Sequence, residues 1–240
     1  MELVKKNAVI TGGTGGIGGA IVMALIGKGV NVCLLSRHSV DVRTYAQAGY
    51  SGQPVISTYR GDLACDTDIA AFCEYIGEQL PTVDILVHSA GAYCAGTLED
   101  TPVEELDLVY RVNVRAPYLL TRLLLPRLKQ SKGQIVFMNS SAGVKAGARL
   151  SQYASSKFAL RALSDSLRQE VNGDEVRVLS VFPGRTASKM QEAVHRLEQH
   201  RYDPRYLVQP QDIAEIVVKS LELPKSAEVT DIHIRPFSTS

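Results

Sequence analysis

The sequence predicts a single α/β domain, residues 1–240, built on a doubly wound, mostly parallel seven-stranded sheet with helices on both faces. Three observations predict it. Short runs that are apolar at nearly every position alternate with longer amphipathic ones, the pattern of strands buried on both faces and joined by crossover helices. The residues just past the first six strands are small, polar or charged, as expected where such a sheet binds a ligand beyond the carboxyl ends of its strands. No internal repeat, low-complexity tract or long linker divides the chain, and its length suits one large α/β domain.

The elements follow in order. "NAVIT" (7–11) is a strand, followed by a glycine run and a helix over 16–28. "NVCLLS" (31–36) is the second strand, ending at Ser36–Arg37, with a helix over 41–49. "PVISTY" (54–59) leads to Asp62 and Leu63, then to a helix over 67–79 for which Asp66 is the expected N-cap. "DILVHS" (84–89) runs into Ala90–Gly91, and a long helix over 102–129 carries Asn113. Pro117 and Pro126 interrupt that helix. "QIVFMN" (134–139) ends at Ser140, ahead of a helix over 153–171. "VRVLSVF" (176–182) leads into "PGRTAS", helices over 188–200 and 210–222, and the closing strand "DIHIRP" (231–236). Right-handed crossovers leave few ways to order such strands.

Composition removes several function classes. Lys plus Arg number 26 against 25 for Asp plus Glu, so no charge bias points to nucleic acid or a membrane surface. No apolar run approaches the ~18 residues of a membrane-spanning helix, and the N-terminus lacks the pattern of a secretory signal. Cys33, Cys65, Cys73 and Cys94 lack metal-ligand spacing. They read as reduced thiols of a cytoplasmic protein.

The glycine run "TGGTGGIG" starts at Thr11 and follows a strand into a helix. That context marks a phosphate-binding loop, because glycines allow close backbone approach and the helix N-terminus offers free N–H groups. Three spacings fit: Gly13, Gly15 and Gly18; Gly12, Gly15 and Gly18; or Gly12, Gly16 and Gly18. The first would pair with an acid at the end of the second strand to bind a ribose 2′-hydroxyl. Ser36 and Arg37 stand there instead. A guanidinium suits a 2′-phosphate, so NADPH/NADP+ is expected ahead of NADH. Asp62 offers a carboxylate for an adenine amino group, against an ordinary helix-capping role.

"YASSK" puts Tyr153 and Lys157 on one helical face, and Ser140 precedes the tyrosine by thirteen residues. Together with Thr11–Gly18, Asp62, Ala90–Gly91, Asn113 and Pro183–Gly184, these residues resemble the short-chain dehydrogenase/reductase family over essentially the whole chain. The resemblance implies a Rossmann-type fold and NADP(H)-dependent exchange between a carbonyl and an alcohol. It makes Tyr153 the general acid/base, with Lys157 lowering its pKa and holding the nicotinamide ribose. Ser140 would steady the substrate oxygen, and Asn113 would hold a helix kink and a proton-relaying water. It selects Gly12, Gly16 and Gly18 as working glycines, with Gly13 and Gly15 as added flexibility. The implied cofactor contacts are Gly12, Thr14, Gly16, Ile17, Gly18, Ser36, Arg37, Asp62, Leu63, Ala90, Gly91, Tyr153, Lys157, Pro183, Gly184, Thr186 and Ser188. Ser188 and Thr186 compete for the carboxamide.

One departure is "HSAG" at His88–Gly91 where the family commonly has "NNAG". A structural His88 and a changed bond network are expected, rather than a catalytic histidine. Residues 186–209 should cover the substrate, a small-molecule carbonyl or alcohol. Their basic residues suit either an anionic substrate or a solvated helix face, and Tyr93, Tyr202 and Tyr206 are candidates for the pocket wall. The helices over 102–129 and 153–171 imply a homodimer or homotetramer. The alternatives are a catalytically silent nucleotide-binding regulator, which typically lacks the Tyr or Lys, and a sugar-nucleotide epimerase, for which 240 residues leave no room for a substrate domain.

Overall fold

A computed structural model describes residues 2–48 and 54–237. Seven strands form one sheet in the order β3-β2-β1-β4-β5-β6-β7. They are β1 (Asn7–Thr11), β2 (Asn31–Ser36), β3 (Ile56–Arg60), β4 (Ile85–His88), β5 (Gln134–Met138), β6 (Arg177–Pro183) and β7 (Asp231–Ile234). Every pairing is parallel, where the sequence suggested only mostly so. The order reverses between β1 and β4, which opens a crevice at their carboxyl ends.

The period of two explains the layers. On β1, Ala8 and Ile10 face one core and Val9 the other; on β5, Val136 and Met138 oppose Ile135 and Phe137. The first core is closed by α1 (Gly16–Ile26) and α7 (Pro210–Glu222), the second by α2 (Asp66–Gln79), α4 (Ala116–Ser131) and α5 (Ser151–Val171). Phe72 and Phe137 are wholly buried there, each worth about 1.5–3 kcal/mol against exposure.

Three expected helices change. The helix over 41–49 is a 3-10 helix, Val42–Ala48; residue 49 lies outside the described residues. β-branched Val42 and Thr44 are poor α-formers. The Tyr45 hydroxyl donates to the Gly13 carbonyl at 2.9 Å and pins the segment to the β1 loop. Asp66 does not cap α2: Cys65 holds that position, and the Asp66 carboxylate pairs with Arg115 at 2.9 Å. The long helix breaks into α3 (Val103–Tyr110), a π-helical turn (Arg111–Arg115) and α4. Pro117, which has no N–H to give, stands two residues past the π-helical turn, and α4 runs on past exposed Pro126.

Candidate active site

The β1 side of the crevice is built from backbone. Gly12 has φ 71°, and a Cβ there would lie 2.5 Å from the Ala90 nitrogen. A Cβ on Gly18 would lie 2.2 Å from the Gly12 carbonyl, whereas one on Gly15 would meet nothing within 4 Å. Gly16, at φ 53°, faces the Ser188 Cβ. The requirement for glycine therefore falls on Gly12, Gly16 and Gly18. Gly13 corrects the expectation of spare flexibility: it is buried, and a Cβ would stand 2.7 Å from Leu34 Cδ2. Leu34 of β2 packs against it.

No side chain caps α1 and its first turn holds no acid, so the N–H groups of that turn are left for a ligand. Ser36 and Arg37 lie at the end of β2, where the Ser36 hydroxyl accepts from the His38 N–H at 3.3 Å. Arg37 is exposed and makes no ion pair among the described residues. The Asp62 carboxylate accepts from the Ala64 N–H at 2.9 Å, holding the turn after β3, while Leu63 packs on the second core.

The β4 side is built from buried polar side chains. Asn113 is 1% exposed and sits in the π-helical turn. Its Oδ1 accepts from the Ala92 N–H at 2.8 Å, and its Nδ2 donates to the Ala92 carbonyl at 2.9 Å and to Ser156 Oγ at 3.1 Å. The kink was expected; in the structure the amide itself acts as a brace for the Ala90–Ala92 turn. Lys157, buried on α5, donates from Nζ to the Met138 carbonyl at 2.9 Å. Burial draws its pKa down to about 8, because the charged form loses its water.

Tyr153 lies one turn before Lys157, whose Nζ is 5.8 Å from the ring centre. The lowered phenol pKa expected from Lys157 is corrected here. Burial raises it, and the facing Ser140 side chain opposes the rise. The ammonium is turned to Met138 instead. Ser140 Oγ accepts from the Ala142 N–H at 3.1 Å, which fixes the serine at the end of β5. The Tyr93 ring lies 4.9 Å from that of Tyr153.

His88 is structural, as its position suggested. It is buried, its Nε2 pairs with Thr121 Oγ1 at 2.8 Å, and its ring stacks on Phe137. Burial holds its pKa near 3, so it stays neutral. Beside it the Ser89 N–H donates to the Thr11 carbonyl at 3.2 Å.

Past β6, Thr186 Oγ1 donates to the Gly184 carbonyl at 3.0 Å, and Ser188 Oγ caps α6 (Lys189–Leu197) by accepting from the Gln191 N–H at 3.1 Å. A bridge between Thr186 and Val208 closes the base of the segment between them.

A family model described as short chain dehydrogenase matches residues 6–199. The chain belongs to the short-chain dehydrogenase family. It is 28% identical over 238 residues to an uncharacterized oxidoreductase of Staphylococcus saprophyticus, covering 98% of this chain and 99% of that one. It is 29% identical to dehydrogenase/reductase SDR family member 11 of Bos taurus, covering 96% of each. Among solved structures it resembles an alcohol dehydrogenase of the archaeon Thermococcus sibiricus complexed with 5-hydroxy-NADP, at 26% identity, TM-score 0.87 and 98% coverage of each chain. A metagenomic short-chain oxidoreductase in complex with NADP gives 28% identity, TM-score 0.84 and full coverage of both chains. This short-chain dehydrogenase is accordingly an oxidoreductase.

Within the short-chain dehydrogenase frame, only one of the three candidate wall tyrosines reaches Tyr153. Tyr202 packs edge-on against buried His195, and Tyr206 is exposed. Of the segment's basic residues Arg196 pairs with Glu192 and Arg205 with Asp203, and just ahead of the segment Arg185 pairs with Glu198. Glu198, which the sequence places on a solvated helix face, pairs instead with Arg185. Arg185 had a sequence signal for a place at the rim, since it directly follows Pro183–Gly184; Glu198 had none. Among the described residues no helix is long and apolar enough to cross a membrane, and no three His, Cys, Asp or Glu residues group to hold a metal.

Proposed function

We propose that the protein reduces a carbonyl to an alcohol, or runs the reverse reaction, with NADPH preferred over NADH. The observation that carries this reading is the juxtaposition of Tyr153, its facing Ser140 and buried Lys157 with a glycine turn in which neither Gly12 nor Gly18 admits a Cβ. The turn fits a dinucleotide: Gly12, Thr14, Gly16, Ile17 and Gly18 would hold the diphosphate at the uncapped end of α1. Exposed Arg37, with Ser36, would take a 2′-phosphate, and Asp62 and Leu63 the adenine. Ala90 and Gly91 would pass close to the dinucleotide, and Pro183, Gly184, Thr186 and Ser188 would meet the carboxamide. When bound, NADPH supplies the hydride.

The protein's own part is proton transfer and positioning. Tyr153 gives its phenolic proton to the substrate oxygen, and Ser140 donates a hydrogen bond to the same oxygen. Lys157, charged below about pH 8, would hold the ribose. Asn113 braces the backbone next to Gly91 through its two bonds to Ala92. Residues 186–209 would cover the substrate. Tyr118 and Leu123 on α4 and Phe158 on α5 are exposed, and we assign these two helices to pairing of identical chains as a dimer or tetramer.

Replacing Tyr153 with Phe tests the reading. Turnover, followed as NADPH oxidation across a carbonyl panel, should fall by about 10²–10⁴-fold, while NADPH affinity stays within about twofold. Retained turnover overturns the role of Tyr153. Tight NADPH binding by the native protein without oxidation of any carbonyl favours the silent regulator instead.

A further inference from the structure

The last residue of β3 brings a charge to the cofactor rim that Ser36 and Arg37 do not account for. Ser36 and Arg60 are register partners at the ends of β2 and β3, and the Gly61 N–H donates to the Ser36 carbonyl at 3.0 Å. On β2, Leu34 faces the first core and Leu35 the second, which returns Ser36 to the first face. On β3, Ile56 packs on the first core and Tyr59 on the second, so Arg60 shares that face. Neighbouring strands lie about 4.8 Å apart, which sets Arg60 directly beside Ser36. α1 covers the same face, and the bond from Tyr45 to Gly13 holds the 3-10 helix there against the glycine turn.

The charges of this corner are unbalanced. Arg37 and Arg60 are both exposed, and neither side chain makes an ion pair or a hydrogen bond among the described residues. The nearby carboxylates are engaged elsewhere. Asp41 holds the Arg43 guanidinium at 2.9 Å, Asp62 accepts from the Ala64 N–H at 2.9 Å, and Asp68 accepts from the Asp62 N–H at 2.7 Å. Two guanidiniums on adjoining strand ends repel one another, and no carboxylate of the described residues offsets them. The Ser36 hydroxyl accepts from the His38 N–H, which leaves its own proton to give. Donors grouped in this way suit one anion with several acceptor oxygens.

We propose that Arg60 is the second guanidinium of a 2′-phosphate clamp: it meets the phosphate from β3 while Ser36 and Arg37 hold it from β2. The inference rests on the dinucleotide reading, in which Arg60 had no part. A phosphate monoester carries nearly two charges and three acceptor oxygens, enough for both arginines. The ribose 2′-hydroxyl of NADH offers no such charge, so Arg60 acts on NADPH alone.

The test measures Kd for NADPH and NADH by fluorescence titration at pH 8, where the phosphate is a dianion. Calorimetry with 2′,5′-ADP and 5′-ADP repeats the comparison without the nicotinamide. Arg60→Ala should weaken NADPH and 2′,5′-ADP by about tenfold and leave NADH and 5′-ADP within about twofold. Arg60→Lys, which keeps the charge and loses the fork, should recover part of the loss. Arg37→Ala combined with Arg60→Ala should erase the preference for the 2′-phosphate. If the native protein prefers NADPH and Arg60→Ala leaves that preference within about twofold, the clamp is overturned while the reading stands. Equal weakening of both nucleotides makes Arg60 a support of the strand edge and overturns the clamp too. If the native protein binds neither nucleotide, or binds NADPH no tighter than NADH, the 2′-phosphate reading fails and the clamp falls with it.

Discussion

The two halves of the rim, on either side of the switch between β1 and β4, solve the same problem with different means. On the β1 side the walls are main chain, and the side chains that matter are absent or exposed: Gly12 and Gly18 admit no Cβ, and Arg37 stands in solvent. On the β4 side the walls are buried polar side chains, among them His88, Asn113 and Lys157. A backbone wall fails by steric exclusion and is indifferent to pH. A wall of buried titratable groups keeps its shape only while each group holds the right charge.

The largest effect should come from the backbone side. Gly18→Ala puts a methyl 2.2 Å from a carbonyl oxygen, and overpacking of this kind costs about 1–3 kcal/mol or more. NADPH affinity, read by fluorescence titration, should weaken by more than about tenfold. Gly15→Ala meets open space in an extended backbone and should stay within about twofold. The reverse order would reassign the working glycines.

The polar side should show itself in acid. His88 is held near pKa 3 in the folded protein against an ordinary value of 6.5. Between those values the unfolded chain binds a proton that the folded chain refuses. His88's contribution is therefore whole above about pH 6.5 and is lost as pH falls toward 3, at roughly 1.4 kcal/mol per unit. Urea midpoints at pH 7.5 and pH 5 should show the native protein losing about 2 kcal/mol more than His88→Asn. Equal losses would mean that Thr121 and Phe137 accept a charged ring. The smallest effect belongs to an exposed charge: Arg37→Ala should cut the NADPH-over-NADH preference by about tenfold, measured as a ratio of kcat/KM values. An unchanged ratio would place the 2′-phosphate elsewhere.

The sequence by itself determined the alternation of strands and helices, the strand ends that form the rim, and the glycine, serine, tyrosine and lysine positions. These follow from local rules. Burial on both faces forces a continuous apolar run, a helix fixes the i and i+4 neighbours, and a strand-to-helix turn against another strand needs glycine. The sequence also left room for three glycine spacings. The resemblance selected Gly12, Gly16 and Gly18, and the tertiary structure gives the reason: Gly12 closes on Ala90 of the β4 loop, Gly18 closes on Gly12, Gly16 takes φ 53°, and a Cβ on Gly15 meets nothing. Gly13 looked like slack in the loop until Leu34 of β2 was placed against it. Lys157 looked like a partner for the Tyr153 phenol until the Met138 carbonyl took its ammonium. Arg185 stands just ahead of a segment whose charges read as a solvated face, and its pairing with Glu198, thirteen residues on, depends on how that segment folds back. Contacts set by local geometry are written in the spacing of residues. Contacts made across the sheet's edge, where burial and charge compete, were decided by the tertiary structure.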